Sequence, residues 1–316
     1  MNSSPKVAVV GAGAAGLASA DVLVAAGIRP IVFERSRSFG GRVASRRRGD
    51  FQFDHGAQFL SPGADALLRR ARVPIHPVPW ESAGLPDGSV PLVGTPRMKD
   101  VFAPFVEGLD IRYGSEVTQI SRTPDGRWRI DTEAATETVD GVILAAPAPQ
   151  CLRILDTAEV ALHAKLESIP FAPCHALMVA FERLPDWPDV QHAPPRPFSL
   201  LLNDRSKPGR TSPLPCFVGH TTAEWSERNL ETAPDDVASA LLDALDAALG
   251  TIPPVVAAIG HRWRFSRPVR PLGVAFAESA DGTLLAGGDW ALGQFVEHAL
   301  ASGRAMAEAT IHRFRS

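Results

Sequence analysis

The sequence predicts an α/β protein in which a parallel sheet is assembled from separated pieces of the chain and interrupted by an inserted mixed α+β domain. Three observations point there. A strand, a glycine-rich turn, a helix and a second strand fill residues 7–34. Two more buried-strand patterns of the same kind stand far downstream, at 141–146 and 282–289. Between them, residues 184–215 carry eight prolines, too many for a helix or a central strand, and read as loops and edge strands.

The elements follow in order. Val7-Ala8-Val9-Val10 is a continuous apolar run ending in glycine, the pattern of a strand buried on both faces. Small and apolar residues from Ala14 to Ala26 form a helix, with Gly27 where a C-terminal cap belongs. Pro30 to Glu34 is the second strand. The turn is Gly11-Ala12-Gly13-Ala14-Ala15-Gly16, and each glycine has a task. Gly11 permits the tight turn, Gly13 lets backbone approach a pyrophosphate, and Gly16 allows helix and strand to pack closely. The helix N-terminus offers free N–H groups and a positive dipole end. Glu34, 18 residues after Gly16, is placed to accept hydrogen bonds from a ribose 2′-OH and to repel a 2′-phosphate. This is a Rossmann-like dinucleotide site.

Downstream, Pro234-Asp235-Asp236 opens a helix with Val237, Leu241, Leu242, Leu245 and Leu249 on one face and Gly250 closing it. Gly141–Ala146 is a strand ending at Pro147, and Gly282–Asp289 another, followed by a helix from about Gln294. The expected division is a discontinuous cofactor domain of 1–75, 97–150 and 271–316, with 76–96 and 151–270 as the substrate domain.

Composition narrows the function. A chain of 316 residues suggests about two domains. With 32 basic against 35 acidic residues there is no positive excess for nucleic acid. The one dense basic run, Arg46-Arg47-Arg48, reads as an exposed strand or loop edge. The 28 arginines against 4 lysines reflect codon composition more than phosphate binding. Cys151, Cys174 and Cys216 lie far apart, which removes a Cys-based zinc site or a vicinal disulfide and fits a reducing compartment. Glycines, Asp21 and Arg29 break the apolar stretch 7–33 below membrane-span length, and the start lacks signal-peptide features. No metal, nucleic acid or membrane partner is expected, and the expected location is cytoplasmic.

Further motifs carry a resemblance. Glu34-Arg35, then Phe39-Gly40-Gly41-Arg42, and late in the chain Gly288-Asp289 with Gly293, Val296 and Ser302-Gly303, resemble the FAD-binding pattern of the flavin amine oxidase superfamily. Within it, the chain is similar to the renalase-like proteins. The carrying stretches are Phe53–Phe59 (FDHGAQF), Leu144–Gln150, Ser206–Arg210 (SKPGR), His261–Phe265 (HRWRF) and Gly288-Asp289-Trp290. One departure is Pro96-Arg97-Met98, where the pattern has Pro-Gly-Met. The resemblance implies non-covalent FAD, with Asp289 on the ribityl chain and the dipole of the helix beginning near Val296 aimed at the flavin N1/O2 edge. The implied cofactor contacts are Gly11, Ala12, Gly13, Ala14, Ala15, Gly16, Glu34, Arg35, Gly41, Arg42, Ala57, Gln58, Phe59, Val117, Ala146, Trp263, Gly288, Asp289 and Val296.

The resemblance implies an oxidase of dihydronicotinamide dinucleotides, in particular isomers of NAD(P)H reduced at the 2- or 6-position. Hydride passes to flavin N5, NAD(P)+ is released, and O2 is reduced to H2O2. Such a donor needs orientation more than a general base, and the nine histidines are scattered along the chain. The alternative is a flavin amine or amino-acid oxidase, whose substrate cage commonly uses tyrosines. Tyr113 is the one tyrosine here, though Trp225, Trp263 and Trp290 are candidates to replace it. A non-catalytic FAD-binding protein is the reading from another class. Gln58, His261 and Trp263 are the substrate-pocket candidates. Gln58 lies near the flavin or caps a hairpin; Trp263 packs on the flavin or belongs to the core. Strand alternation sends His261 and Arg262 to opposite faces, with His261 or Arg264 toward substrate. Lys207 or Arg210 binds a dinucleotide phosphate, or SKPGR is a proline-glycine turn. Glu297 contacts flavin or caps its helix.

Overall fold

Val7–Val10 lies inside a six-stranded sheet of order Ala277–Glu278, Leu284–Ala286, Gly141–Leu144, Val7–Val10, Ile31–Glu34, Asp110–Tyr113. The computed structural model describes residues 4–85, 88–191 and 193–315. Every pairing in this sheet is parallel except at its Ala277–Glu278 edge. All residues of Val7–Val10, Ile31–Glu34 and Gly141–Leu144 are buried, because both faces of the sheet are covered. Helices Ala14–Ala25 and Val296–Arg315 cover one face, and a three-stranded sheet of Val117–Arg122, Trp128–Thr132 and Thr136–Val139 with helix Ala148–Ile154 covers the other.

The first helix, Ala14–Ala25, packs along the last, Val296–Arg315. A Cβ on Gly303 would stand 2.1 Å from the carbonyl oxygen of Ala15, and one on Gly16 would stand 1.8 Å from that of Gly11. Both positions therefore exclude any side chain. The Ser19 hydroxyl lies 2.9 and 2.8 Å from the Ala15 and Gly303 carbonyl oxygens and ties the two helices together.

The second sheet is antiparallel, of order Val190–Gln191, Phe198–Asn203, Cys216–Thr221, Phe171–Phe181, Val255–Pro268. The proline-rich region thus contributes an inner strand as well as an edge. Phe198–Asn203 contains no proline, so its backbone pairs on both sides. One face of this sheet, with Leu177, Val179, Phe181, Leu201 and Phe217, packs on helix Pro234–Leu249. The other, with Met178, Ala180, Val218 and Ile259, joins the core of the nucleotide half. A hairpin of Ser45–Arg48 and Phe51–Asp54 also approaches this second face.

Candidate functional site

The glycine turn builds a bare cradle. Gly13 precedes helix Ala14–Ala25 with no side chain capping the first-turn N–H groups. A Cβ on Gly41, which has φ +54°, would stand 3.2 Å from the Gly13 Cα, so two glycines face each other with backbone alone exposed. Gly40 N–H donates to Ala12 O at 2.8 Å and holds the two turns in this relation. Such a cradle fits a pyrophosphate, which backbone N–H groups and the helix dipole both favour.

Glu34 is buried at the end of its strand, accepting from Ala12 N–H and Ser36 N–H at 2.8 Å each. The Ser115 N–H donates to the Glu34 carbonyl, which brings the segment leading to Val117 alongside. Val117 itself is buried, and Arg35 is exposed. Across the cradle, the Arg42 guanidinium forms a two-point pair with Asp289, at 2.8 and 2.7 Å. The N-terminal and C-terminal motifs therefore meet through one ion pair. The Ala57 N–H donates to Arg42 O at 2.9 Å, and a Cβ on Gly56 would stand 2.0 Å from that oxygen. This contact carries the turn holding Ala57, Gln58 and Phe59 to the same place. The Gly288 N–H donates to Ser302, the seventh residue of the last helix, which begins at Val296.

Beside the cradle, strand register sets up an aromatic wall. Ala176 pairs with both His220 and His261, so the two imidazoles flank a small residue on one face of the antiparallel sheet. His55 comes in from the hairpin. Its ring stacks on Trp263 at 5.1 Å with 24° between planes and meets His261 edge-on at 4.7 Å. Trp263 Nε1 donates to the His55 carbonyl at 2.9 Å, and His220 Nε2 lies 3.1 Å from the same oxygen. His55 Nδ1 is buried with no partner among the described residues. Burial, helped by His261, Arg46 and His220 and opposed by Asp54, drops the His55 pKa to about 3. Burial also drops His261 to about 4, with Arg46 and His175 adding to it. For His220, burial outweighs its bond to the His55 carbonyl and gives about 4. All three rings are neutral near pH 7.

Under the wall lies a buried ionic cluster. Lys207 Nζ donates to Asp204 Oδ1 at 2.6 Å and Gln58 Oε1 at 2.9 Å. Arg210 pairs with Asp54 at 2.5 Å, and the Asp54 N–H donates to Asp204 Oδ2 at 3.1 Å. Burial works to raise the Asp54 carboxyl, but Lys207 and Arg210, with bonds from Ser45 and the Met98 N–H, hold it below its usual range. Asp204 is pushed up to about 6 by burial, with Asp54 adding to the rise and Lys207 opposing it.

These positions decide several expectations. Gln58 uses its amide NH2 on the Asp54 and Gly56 carbonyls and its oxygen on Lys207, so it braces the turn. His261 and Trp263 share the wall, whereas Arg262 and Arg264 both reach Glu231 on the opposite face. Lys207 and Arg210 are 2% and 9% exposed and satisfied by carboxylates, so the phosphate role considered for them is withdrawn. Trp290 is fully buried with its Nε1 on Ala146 O, which removes it from any substrate cage. Arg97 sits at φ −129°, an ordinary backbone that needs no glycine. Glu297 accepts from Ser61 at 2.6 Å. Burial raises the Cys151 thiol to about 12 and those of Cys174 and Cys216 to about 11, and all three are free. Sequence reasoning missed His55 and His220, because only the register of distant strands brings them together.

The cradle fits a dinucleotide, and the comparisons make the chain a FAD-dependent oxidoreductase. A profile of NAD(P)-binding Rossmann-like domains matches residues 9–71, and that of the flavin containing amine oxidoreductases matches 85–311. The chain belongs to the flavin containing amine oxidoreductase family. It is 24% identical to renalase of Mus musculus over 293 residues, covering 83% of this chain and 85% of that protein. Two solved structures share the fold, each with a TM-score of 0.75 over 99% of this chain and 100% of the other. One, from Exiguobacterium sp. 255-15, is provisionally described as a protoporphyrinogen oxidase and is 16% identical. The other is cyclohexylamine oxidase of Brevibacterium oxydans IH-35A, at 13%. Among the described residues no helix is long and apolar enough to cross a membrane.

Proposed function

We propose that the protein oxidises dihydronicotinamide dinucleotides, the 2- or 6-dihydro isomers of NAD(P)H, to NAD(P)+. Balanced, one donor, one O2 and one proton give one NAD(P)+ and one H2O2. When bound, without a covalent link, FAD supplies the two-electron acceptor between donor and O2. On this reading residues 1–75, 97–150 and 271–316 hold the cofactor and the remainder shapes the substrate site. The Gly11–Gly16 turn with Gly41 holds the pyrophosphate, Glu34 the adenosine ribose, and Arg42 with Asp289 the ribityl end.

The observation that carries the substrate reading is the neutrality of the wall. His55, His220 and His261 are uncharged near pH 7, and Trp263 adds an aromatic face. A flat, uncharged dihydropyridine suits such a surface, and its oxidation needs orientation and exclusion of water. His261 and Trp263 orient the ring, while Gln58 fixes the turn that presents His55. Oxidation of an amine is the second reading, supported by the family description. It would be favoured by a carboxylate at the wall, and His55, His261 and Trp263 have none among their hydrogen-bond and ring partners in the described residues.

The test is anaerobic stopped-flow absorbance of the flavin band on mixing with NADH, with its 2- and 6-dihydro isomers, and with amines and amino acids. Fast bleaching by the isomers, reversed by air with one H2O2 per donor, is the expected result. Bleaching by an amine alone would replace this reading with the second.

A further inference from the structure

We propose that Arg46 reads the charge of the substrate: it holds an anionic group, phosphate or carboxylate, at the mouth of the His55–His261–Trp263 wall and disfavours ammonium substrates. The dinucleotide form of the idea rests on the function proposed above; the charge preference can be tested separately.

The hairpin places the residue. Arg46 pairs with Phe53 and Arg48 with Phe51 across the hairpin, so these four share one face, and His55 follows two residues after Phe53, just past the strand end. Arg48 anchors that face on the neighbouring sheet by donating to Ala258 O at 3.1 Å. Arg46, one strand repeat closer to His55, feels both His55 and His261, and its charge opposes protonation of each ring. Like Arg267, which acts on His220 from the end of strand Val255–Pro268, it is an exposed guanidinium with no ion pair among the described residues, and it differs from four other arginines around the site. Arg42, Arg210, Arg262 and Arg264 each meet a carboxylate within 3.0 Å. Arg46 is exposed and forms no ion pair or hydrogen bond with any described residue. An unengaged guanidinium keeps a planar fork of donors that matches phosphate or carboxylate at two points. With His55 and His261 neutral beside it, Arg46 adds positive potential at this end of the wall.

The experiment uses the FAD-loaded protein and its Arg46→Ala and Arg46→Lys variants, with Arg47→Ala on the opposite face of the same strand as control. Binding is followed by perturbation of the oxidised flavin spectrum. The probes are NAD+, its phosphate-free part nicotinamide riboside, phenylalanine, and phenethylamine, each at low and high salt. Wild type should bind NAD+ more tightly than the riboside, by a margin that shrinks with salt. Arg46→Ala should lose about 10-fold in NAD+ affinity and little for the riboside, with Arg46→Lys in between and Arg47→Ala unchanged. If Arg46→Ala instead weakens phenylalanine alone while the dihydronicotinamides fail to bleach the flavin, the anion is a carboxylate: the role of Arg46 stands and the dinucleotide reading falls. Equal affinities of wild type and Arg46→Ala for every anionic probe, tightest binding of phenethylamine by wild type, or binding of no probe would overturn the proposal.

Discussion

Replacing Lys207 with Met tests the ionic cluster most directly, because the expected loss depends on pH. The Lys207 side chain is buried, with Asp204 at 2.6 Å and Gln58 at 2.9 Å. Breaking a buried pair on one side costs roughly 3–5 kcal/mol. Asp204 can relieve part of this by taking a proton. Its folded pKa of about 6 already exceeds the ordinary aspartate value of 3.8, and loss of the Lys207 cation raises it further. Below about pH 6 the carboxyl is largely protonated in wild type and variant alike, so Asp204 adds little to the difference. Above that, wild-type Asp204 is ionised when folded and the variant's is not, while both are ionised when unfolded. Each further pH unit should therefore add about 1.4 kcal/mol to the variant's deficit until its own pKa is passed. Thermal unfolding of the FAD-loaded proteins at pH 6 and pH 8 is the assay. For a chain of this length, 4 kcal/mol lowers Tm by about 6 °C. The drop should be several degrees at pH 6 and clearly larger at pH 8, and Lys207→Met with Asp204→Asn should lose that pH dependence. A drop equal at both pH values, or below about 1 °C, would refute the reasoning.

Three further outcomes are expected. Asp289→Ala should leave Arg42 without its carboxylate partner and lower the flavin retained after gel filtration, with far-UV dichroism unchanged; full flavin content would contradict the assignment. Gly303→Val puts a side chain where even Cβ stands 2.1 Å from the Ala15 carbonyl oxygen. It should cost upwards of about 3 kcal/mol in urea unfolding, and a wild-type midpoint would show that the helices separate easily. Acid should destabilise through the wall. Near pH 5 the unfolded chain protonates His55, His220 and His261, while the folded state, at about 3 to 4, leaves them neutral. The loss is about 2 kcal/mol per ring relative to pH 8, partly offset by Asp204, which favours the folded state as pH falls. A urea midpoint as high at pH 5 as at pH 7 would show that these rings protonate in place.

Local chemistry was readable and distant register was not. Gly11 to Gly16, Glu34 and the strands flanking them follow from spacing, because a βαβ unit satisfies its backbone and buries its faces within a short segment. The helix Pro234–Leu249 was legible for the same reason: an apolar stripe with a proline start and a glycine stop. The wall was not. His55, His220 and His261 lie in three separate segments, and nothing near His220 signals that Ala176 will pair it with a strand 40 residues on. SKPGR reads in sequence as a phosphate site or a proline-glycine turn, and neither reading foresees buried cations, because those positions depend on Asp54 and Asp204 arriving with them.

The contact between the first and last helices has a consequence for how the protein is made. The ribosome releases Ala14–Ala25 first, and its packing partner Val296–Arg315 emerges only after the intervening residues 26–295. The sheet waits as well: Val7–Val10 must hold its place until Gly141–Leu144 is translated, and Leu284–Ala286 later still. Through most of synthesis the nascent chain therefore carries a finished glycine turn on an unsupported helix. FAD would find a complete cradle only once Val296–Arg315 has emerged, when Arg42 and Asp289 first share one molecule of folded protein.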